Sequence, residues 1–121
     1  MSTLPESITE RLQREVLAEL EDDYVGVWEI AHLAEEELGT TDPGEIQELV
    51  REVVSNMLMH GWIEPGYATD EGGFEPWPEE APGRTALKIS EELEALGRRP
   101  ALGDVVWFNL TSYGEKVAAQ S

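Results

Sequence analysis

The sequence predicts an α+β fold, and three observations lead to this prediction. Apolar residues recur at helical spacing in four segments before residue 97. Residues 104–111, near the carboxyl end, are rich in β-branched and aromatic residues, which is typical of a strand. Residues 68–83 are rich in Gly, Pro and Glu, and their apolar residues follow neither the helical spacing nor the alternation of a strand. They are therefore predicted to form a loop. A length of 121 residues suits one domain over residues 1–121.

An apolar stripe after a capping motif predicts the first helix. Thr3 and Glu6 stand three residues apart, so a hydroxyl and a carboxylate could satisfy free amides at the helix start. The acidic residues 21–23 are expected to end this helix, and residues 24–27 to form a short extended bridge. The stripe consists of Ile8, Leu12, Val16, Leu17 and Leu20.

Two further helices have clear boundary signals. The second is predicted over residues 27–38, because Gly39 suits the left-handed position that follows a helix. The third is predicted from Asp42, as the N-cap before Pro43, to about His60. Its apolar residues are dense enough for a central core helix. They are Ile46, Leu49, Val50, Val53, Val54, Met57 and Leu58.

The rest of the chain predicts two strands, a helix between them and a final helix. The first strand begins at Trp62, and the pair Pro65-Gly66 is expected to interrupt or turn it. The inserted helix covers residues 85–96, and a short helix over residues 112–119 follows the second strand.

The second strand also predicts where the inserted helix packs. If Val106, Phe108 and Leu110 face the core, strand alternation turns Trp107 to the outer face. A tryptophan on the outer face would expose apolar surface unless another element packed against it. The apolar stripe of residues 85–96 is the predicted apolar surface that has no other partner. We therefore expect the insertion to fold back over this outer face.

This order of elements resembles the winged helix-turn-helix superfamily. The similar stretches are residues 27–31, 49–64 and 107–114. The resemblance covers residues 5–67 and 104–118, which makes residues 68–103 an insertion between two wing strands. It implies a winged-helix-like three-helix core with a two-stranded wing, an inserted helix in the wing and a short C-terminal helix. An α+β domain of another topology is the alternative.

The resemblance raises DNA binding as one possible function. In DNA-binding family members the exposed face of the third helix enters the major groove. By position, that face would present Gln47, Glu48, Arg51, Glu52 and Ser55. Gln47 and Arg51 could read adenine and guanine edges, and a DNA-binding regulator would use these two together with Ser55. Acidic residues outnumber Arg51 on this helix, and carboxylates facing phosphates are unfavourable. These acidic residues are Glu45, Glu48 and Glu52.

The charge balance favours a different function. The chain carries 26 acidic and 8 basic side chains, a formal net charge of −18. Residues 25–61, which would have to meet DNA, contain eight acidic residues and one basic residue. The leading hypothesis is a non-enzymatic protein–protein interaction module for a basic partner, with an inhibitor, immunity or accessory regulatory role. The alternative is a sequence-specific transcriptional regulator, and a merely solubilising acidic surface also stays open.

The predicted partner-binding residues are carboxylates and two loop aromatics. Phe74 and Trp77 lie in a proline-containing segment, where they either pin the loop to the body or form an exposed anchor. Tryptophan is enriched at interface hot spots. The carboxylates are Glu35, Glu36, Glu45, Glu48 and Glu52.

No catalytic, cofactor or metal site is predicted. The chain has no cysteine, and Gly72-Gly73 lacks the Lys and helix start of a phosphate loop. His32 with Glu35 or Glu36 is a feasible pair of metal ligands, but no third ligand is visible. With no signal peptide and no long apolar run, a cytoplasmic protein without a membrane segment is expected. A homodimer is not excluded.

Overall fold

The computed structural model describes residues 7–98, 100–101 and 105–120. The described elements are five helices and one antiparallel sheet with strand order β1-β4-β2-β3. In chain order they are α1 (Ile8–Asp22), β1 (Val25–Gly26), α2 (Val27–Leu38), α3 (Pro43–Met59), β2 (Ile63–Ala68), β3 (Phe74–Pro76), α4 (Pro82–Leu96), β4 (Trp107–Leu110) and α5 (Ser112–Ala119). The predicted α+β class is confirmed, and the arrangement is compatible with a winged-helix-like fold.

Local capping chemistry sets the helix boundaries. The Ser7 hydroxyl accepts a hydrogen bond from the Glu10 amide at 3.1 Å, so α1 begins directly after Ser7. The capping motif predicted at Thr3 lies outside the described residues. Gly39, with φ of 65°, ends α2 as predicted. Asp42 caps α3, also as predicted.

The core lies between the three-helix layer and one face of the sheet. Phe108 is fully buried, and Val106 and Leu110 are buried with it, as strand alternation predicted. All seven apolar residues predicted for α3 are buried, because α1 and α2 pack on one side of α3 and α4 packs on another. β4 itself is only four residues long, and Asp104, the predicted start of this strand, lies outside the described residues.

The predicted loop contains a strand, which corrects the two-stranded wing. β2 runs without a break through Pro65 and Gly66, and β3 pairs with its second half. The Pro65 carbonyl accepts from the Trp77 amide at 2.9 Å, so the proline sits where pairing with β3 has just ended. A Cβ at Gly66 would overlap the Glu75 carbonyl, so this close pairing requires glycine. β2 and β4, the two strands predicted for the wing, therefore belong to a four-stranded sheet.

The position of α4 is the second correction. This helix begins at Pro82, earlier than predicted, and packs mainly along α3 instead of the outer face of the sheet. Trp107, on that outer face, is met by Trp28, with ring centroids 4.4 Å apart and the rings nearly perpendicular. The long apolar α3 offers α4 more surface than the four residues of β4. The Gln47 side chain also donates to the Arg98 carbonyl at 2.6 Å, just beyond the end of α4.

Candidate protein-binding groove

The outward face of α3 carries three unpaired carboxylates. Glu45, Glu48 and Glu52 follow one another at helical spacing, so they project from the same side of α3. All three are exposed. Within residues 7–98, 100–101 and 105–120, their side chains make no hydrogen bond or ion pair. This face of α3 therefore presents negative charge that no described cation offsets.

An apolar groove lies beside these carboxylates. It has a volume of about 360 Å³ and is formed where the start of α1, the end of α2 and the first half of α3 meet. Ile8, Leu38 and Leu49 supply its apolar surface, one residue from each helix. Leu49 is only 7% exposed and Ile8 is 38% exposed, so Leu49 lies at the base and Ile8 on a wall. Glu45, Glu48 and Glu52 line the same groove, and we call this combination the acidic groove.

Basic residues near the acidic groove do not neutralise it. Arg11 on α1 pairs with Glu37 on α2, with Nε and Oε2 3.2 Å apart. Arg51 lies one turn after Glu48 on α3, but it is half-buried and forms no ion pair with the described residues. The groove thus combines an apolar base, which favours burial of a nonpolar side chain, with a rim that attracts cations.

A carboxyl pair joins α1 to α2 behind this region. The pKa of Glu15 is raised to about 7, mainly by burial and in addition by a hydrogen bond to Glu37 and by the charges of Glu37 and Glu36. The Arg11 charge acts in the opposite direction. Near neutral pH the Glu15 carboxyl is therefore partly protonated and can donate to Glu37. The contact between these two carboxyl groups depends on this proton.

The other two predicted carboxylates do not line the acidic groove. Glu36 is exposed and pairs with His32 one turn earlier on α2, with Nε2 and Oε1 3.2 Å apart. Glu35 is half-buried. His32, which the sequence offered as one of a feasible pair of metal ligands, is thus beside a carboxylate. Among the residues that the structure describes, no group of three or more His, Asp or Glu side chains could hold a metal ion.

Of the residues predicted for DNA reading, Gln47 lies where α3 meets the end of α4. Gln47 reaches the carbonyl beyond the end of α4, while Leu58 lines a cleft with Thr85 at the start of α4. α4 therefore runs antiparallel to α3. Arg51 and Ser55 follow Gln47 on α3 by four and eight residues, and all three are half-buried. A major-groove contact through this side of α3 would have to accommodate α4.

The two loop aromatics are packed against the body of the protein. Trp77 is half-buried, with Lys88 Nζ 4.6 Å from its ring centroid and the Tyr67 ring 5.9 Å away. Phe74 is half-buried, with its ring 5.1 Å from that of Tyr24. Of the two alternatives left by the sequence, pinning of the loop is the one observed. The pairing of β3 with β2 places both rings there.

A second cleft was missed by sequence reasoning. It has a volume of about 580 Å³ and opens between β2, β3 and the start of α4. Its walls include Ile63, Pro76 and Trp77, and Glu64 and Glu79 also line it. No local motif marks it, because it depends on the pairing of β3 and the docking of α4. None of its lining residues is a His, Lys, Arg or Ser.

No known family model, curated protein or solved structure matches the chain. The resemblance to winged helix-turn-helix proteins therefore stays a prediction, and a function has to be argued from the groove and its charges. Among the described helices, none has the length and apolar character needed to cross a lipid bilayer.

Proposed function

We propose that this protein is a non-enzymatic interaction module that binds a basic segment of a protein partner in the acidic groove. One observation supports this most directly: three exposed, unpaired carboxylates border an apolar groove built from three helices. A partner segment with basic and apolar side chains would complement both the negative charge and the apolar surface of the groove. An inhibitor, an immunity protein and an accessory regulator could each use such a surface.

The expected ligand is a basic amphipathic helix. Such helices bind by laying apolar side chains at helical spacing into a hydrophobic groove. Glu45 and Glu52 are seven residues apart, so the acidic rim extends about 10 Å along α3. Two turns of a partner helix match this length. Lysine or arginine side chains on those turns would meet the carboxylates, while neighbouring apolar side chains would cover Ile8 and Leu38.

Charge and burial contribute differently to this binding. Like charges at three- and four-residue spacing repel, so a cationic ligand relieves an unfavourable interaction already present in the free protein. Complementary charge also raises the association rate and helps to select the partner. Burial of apolar surface contributes about 25 cal/mol per Å² and depends little on salt. The affinity for a basic ligand should therefore decrease as the ionic strength rises but stay measurable at high salt.

Sequence-specific DNA binding is the less supported function. Gln47 already donates to a carbonyl of the chain, α4 packs along α3, and Arg51 and Ser55 are half-buried. The exposed carboxylates of the same helix would face the phosphates.

Calorimetric titration with designed peptides tests the proposal. The probe is a helical peptide with leucines at positions i, i+4 and i+7 and flanking lysines. A matched peptide carries glutamates in place of the lysines. We expect saturable binding of the basic peptide, weakened about five- to tenfold by combining Glu48→Gln with Glu52→Gln.

The control variant combines Glu91→Gln with Glu92→Gln, which removes the same charge from the exposed face of α4. It should bind the basic peptide nearly as well as the unmodified protein. Equal losses in the two variants would mean that net charge alone drives binding, which contradicts the proposal. Specific binding of duplex DNA at low salt, lost on Arg51→Ala, would favour the alternative instead.

A further inference from the structure

A smaller cleft lies at the opposite end of the α1–α2 pair. It has a volume of about 280 Å³, and Glu19 of α1 lines it with Trp28, Glu29, His32 and Leu33 of α2. None of these residues lines the acidic groove. Trp28 and Leu33 are half-buried and pack against the core, so the apolar wall of the cleft is anchored to the body. We call this cleft the Trp28 pocket.

The indole of Trp28 is held in place from two sides. A Cβ at Gly26 would overlap the six-membered ring of Trp28, so this ring lies directly against the Gly26 backbone. On another side the ring of Trp107 contacts it, with centroids 4.4 Å apart. Trp28 is half-buried and also lines the Trp28 pocket. An aromatic wall fixed in this way loses little conformational entropy when a ligand binds.

Two carboxylates from different helices border this wall. Glu29 accepts a hydrogen bond from the Gly26 amide, but burial raises its pKa, and the charges of Glu19 and Asp23 raise it further. Glu19 and Asp23 form no described ion pair in residues 7–98, 100–101 and 105–120. His32, the one basic side chain in the lining, lies beside Glu36. A cation entering the pocket would therefore meet uncompensated negative charge next to an indole.

We propose that the Trp28 pocket binds a single arginine side chain of a protein partner. The guanidinium group is planar, so it can stack on an indole while its N–H groups donate to carboxylates. Glu19 and Glu29 supply acceptors from two sides. A lysine ammonium lacks the planar surface and should bind more weakly. This inference does not depend on the acidic groove, because the two sites share no residue.

The test follows the indole N–H signals in two-dimensional NMR spectra, which separate the four tryptophans. Trp28→Phe assigns the Trp28 signal. The probes are N-acetyl-arginine amide, the lysine analogue, and the citrulline analogue, which keeps the shape of arginine without its charge. We expect a saturable shift of the Trp28 signal with the arginine probe, a smaller shift with lysine, and none with citrulline.

Two substitutions test whether the shift of the Trp28 signal comes from arginine bound next to Glu19 and Glu29. Glu19→Gln, at an exposed position of α1, should weaken the arginine response about threefold, and adding Glu29→Gln should weaken it further. Glutamine at position 29 keeps an acceptor for the Gly26 amide, so the helix start is preserved. Glu48→Gln with Glu52→Gln should leave the response unchanged, whatever happens to peptide binding in the acidic groove. An equal shift with citrulline, an equal shift with lysine, or an unchanged titration in the Glu19 and Glu29 variants would overturn the inference.

Discussion

Two stripes of the same helix have opposite environments. On one side of α3, Glu45, Glu48 and Glu52 are exposed and border the acidic groove. On the side that meets α4, Gln47 is half-buried, and its side chain donates to the Arg98 carbonyl just beyond the end of α4. Residues 47 and 48 are adjacent in the chain, yet one donates to a carbonyl of the protein and the other faces solvent. The difference comes from which neighbouring helix covers each stripe.

This contrast shows why composition alone cannot locate a function. The sequence places polar residues suited to DNA and residues suited to a basic protein on one helix, within about three turns. The docking of α4 on one stripe leaves the other accessible. The accessible stripe is acidic, which is why a basic protein segment is the proposed ligand.

The largest effect is expected where α4 docks on α3. Leu93 is fully buried, so Leu93→Ala should lower the free energy of unfolding by about 2–5 kcal/mol through lost burial and a residual cavity. Leu87 lies on the same helix but is 59% exposed, which makes Leu87→Ala the matched control. Urea denaturation measures both. Equal, small losses in the two variants would mean that α4 is not firmly docked.

A smaller effect should separate the two stripes directly. Gln47→Ala removes the hydrogen bond to the Arg98 carbonyl and should cost about 1 kcal/mol. Glu48→Ala, one residue further, removes an unpaired exposed side chain and should change the stability by less than about 0.5 kcal/mol. The same denaturation experiment compares the two variants. A larger loss of stability for Glu48→Ala than for Gln47→Ala would mean that Gln47 does not lie in the contact with α4.

The carboxyl pair behind the acidic groove predicts a pH dependence. The pKa of Glu15 is raised from 4.5 to about 7, so its proton stabilises the folded state fully below about pH 4.5. This contribution is lost as the pH rises through about 7. For a partly exposed group it should amount to about 1 kcal/mol or less.

Thermal unfolding between pH 5 and pH 8 checks this prediction, over a range of about three units around the shifted pKa. Glu15→Gln, which cannot lose a proton, should flatten the dependence and be the more stable form at the upper end. Glu21→Gln, an exposed position on the same helix, is the control and should follow the unmodified protein. Superimposable curves for Glu15→Gln and the unmodified protein would exclude Glu15 as the source.

The smallest effect should come from the rim of the acidic groove. Neutralising Glu48 and Glu52 together with glutamine should raise the stability by a few tenths of a kcal/mol, because like charges four residues apart on a helix repel. High salt should remove the gain by screening. A loss of stability at low salt would show that these carboxylates have partners, which would weaken the proposed function.

Local chemistry made much of the fold predictable. The bounds of α2 and α5, the N-cap at Asp42 and the left-handed Gly39 follow from signals within one helical turn. The inward set of Val106, Phe108 and Leu110 follows from alternation along a strand. Such signals depend only on residues that are close in the sequence, so they can be recognised without knowledge of the rest of the chain.

The candidate site was predictable only in part. The sequence singled out Glu45, Glu48 and Glu52 by their charge and spacing, and these three line the acidic groove. It gave no reason to place Ile8 and Leu38 beside them, because those residues come from two other helices. The Trp28 pocket depends in the same way on the meeting of α1 and α2.

The sequence by itself therefore determined the helices, the inward face of β4 and the excess of negative charge. Only the tertiary structure decided that residues 74–76 form a strand, that α4 docks on α3, and which stripe of α3 stays exposed. The physical reason is the range of the interactions. Caps and periodicity act over three or four residues, whereas strand pairing and helix docking depend on partners far away in the chain.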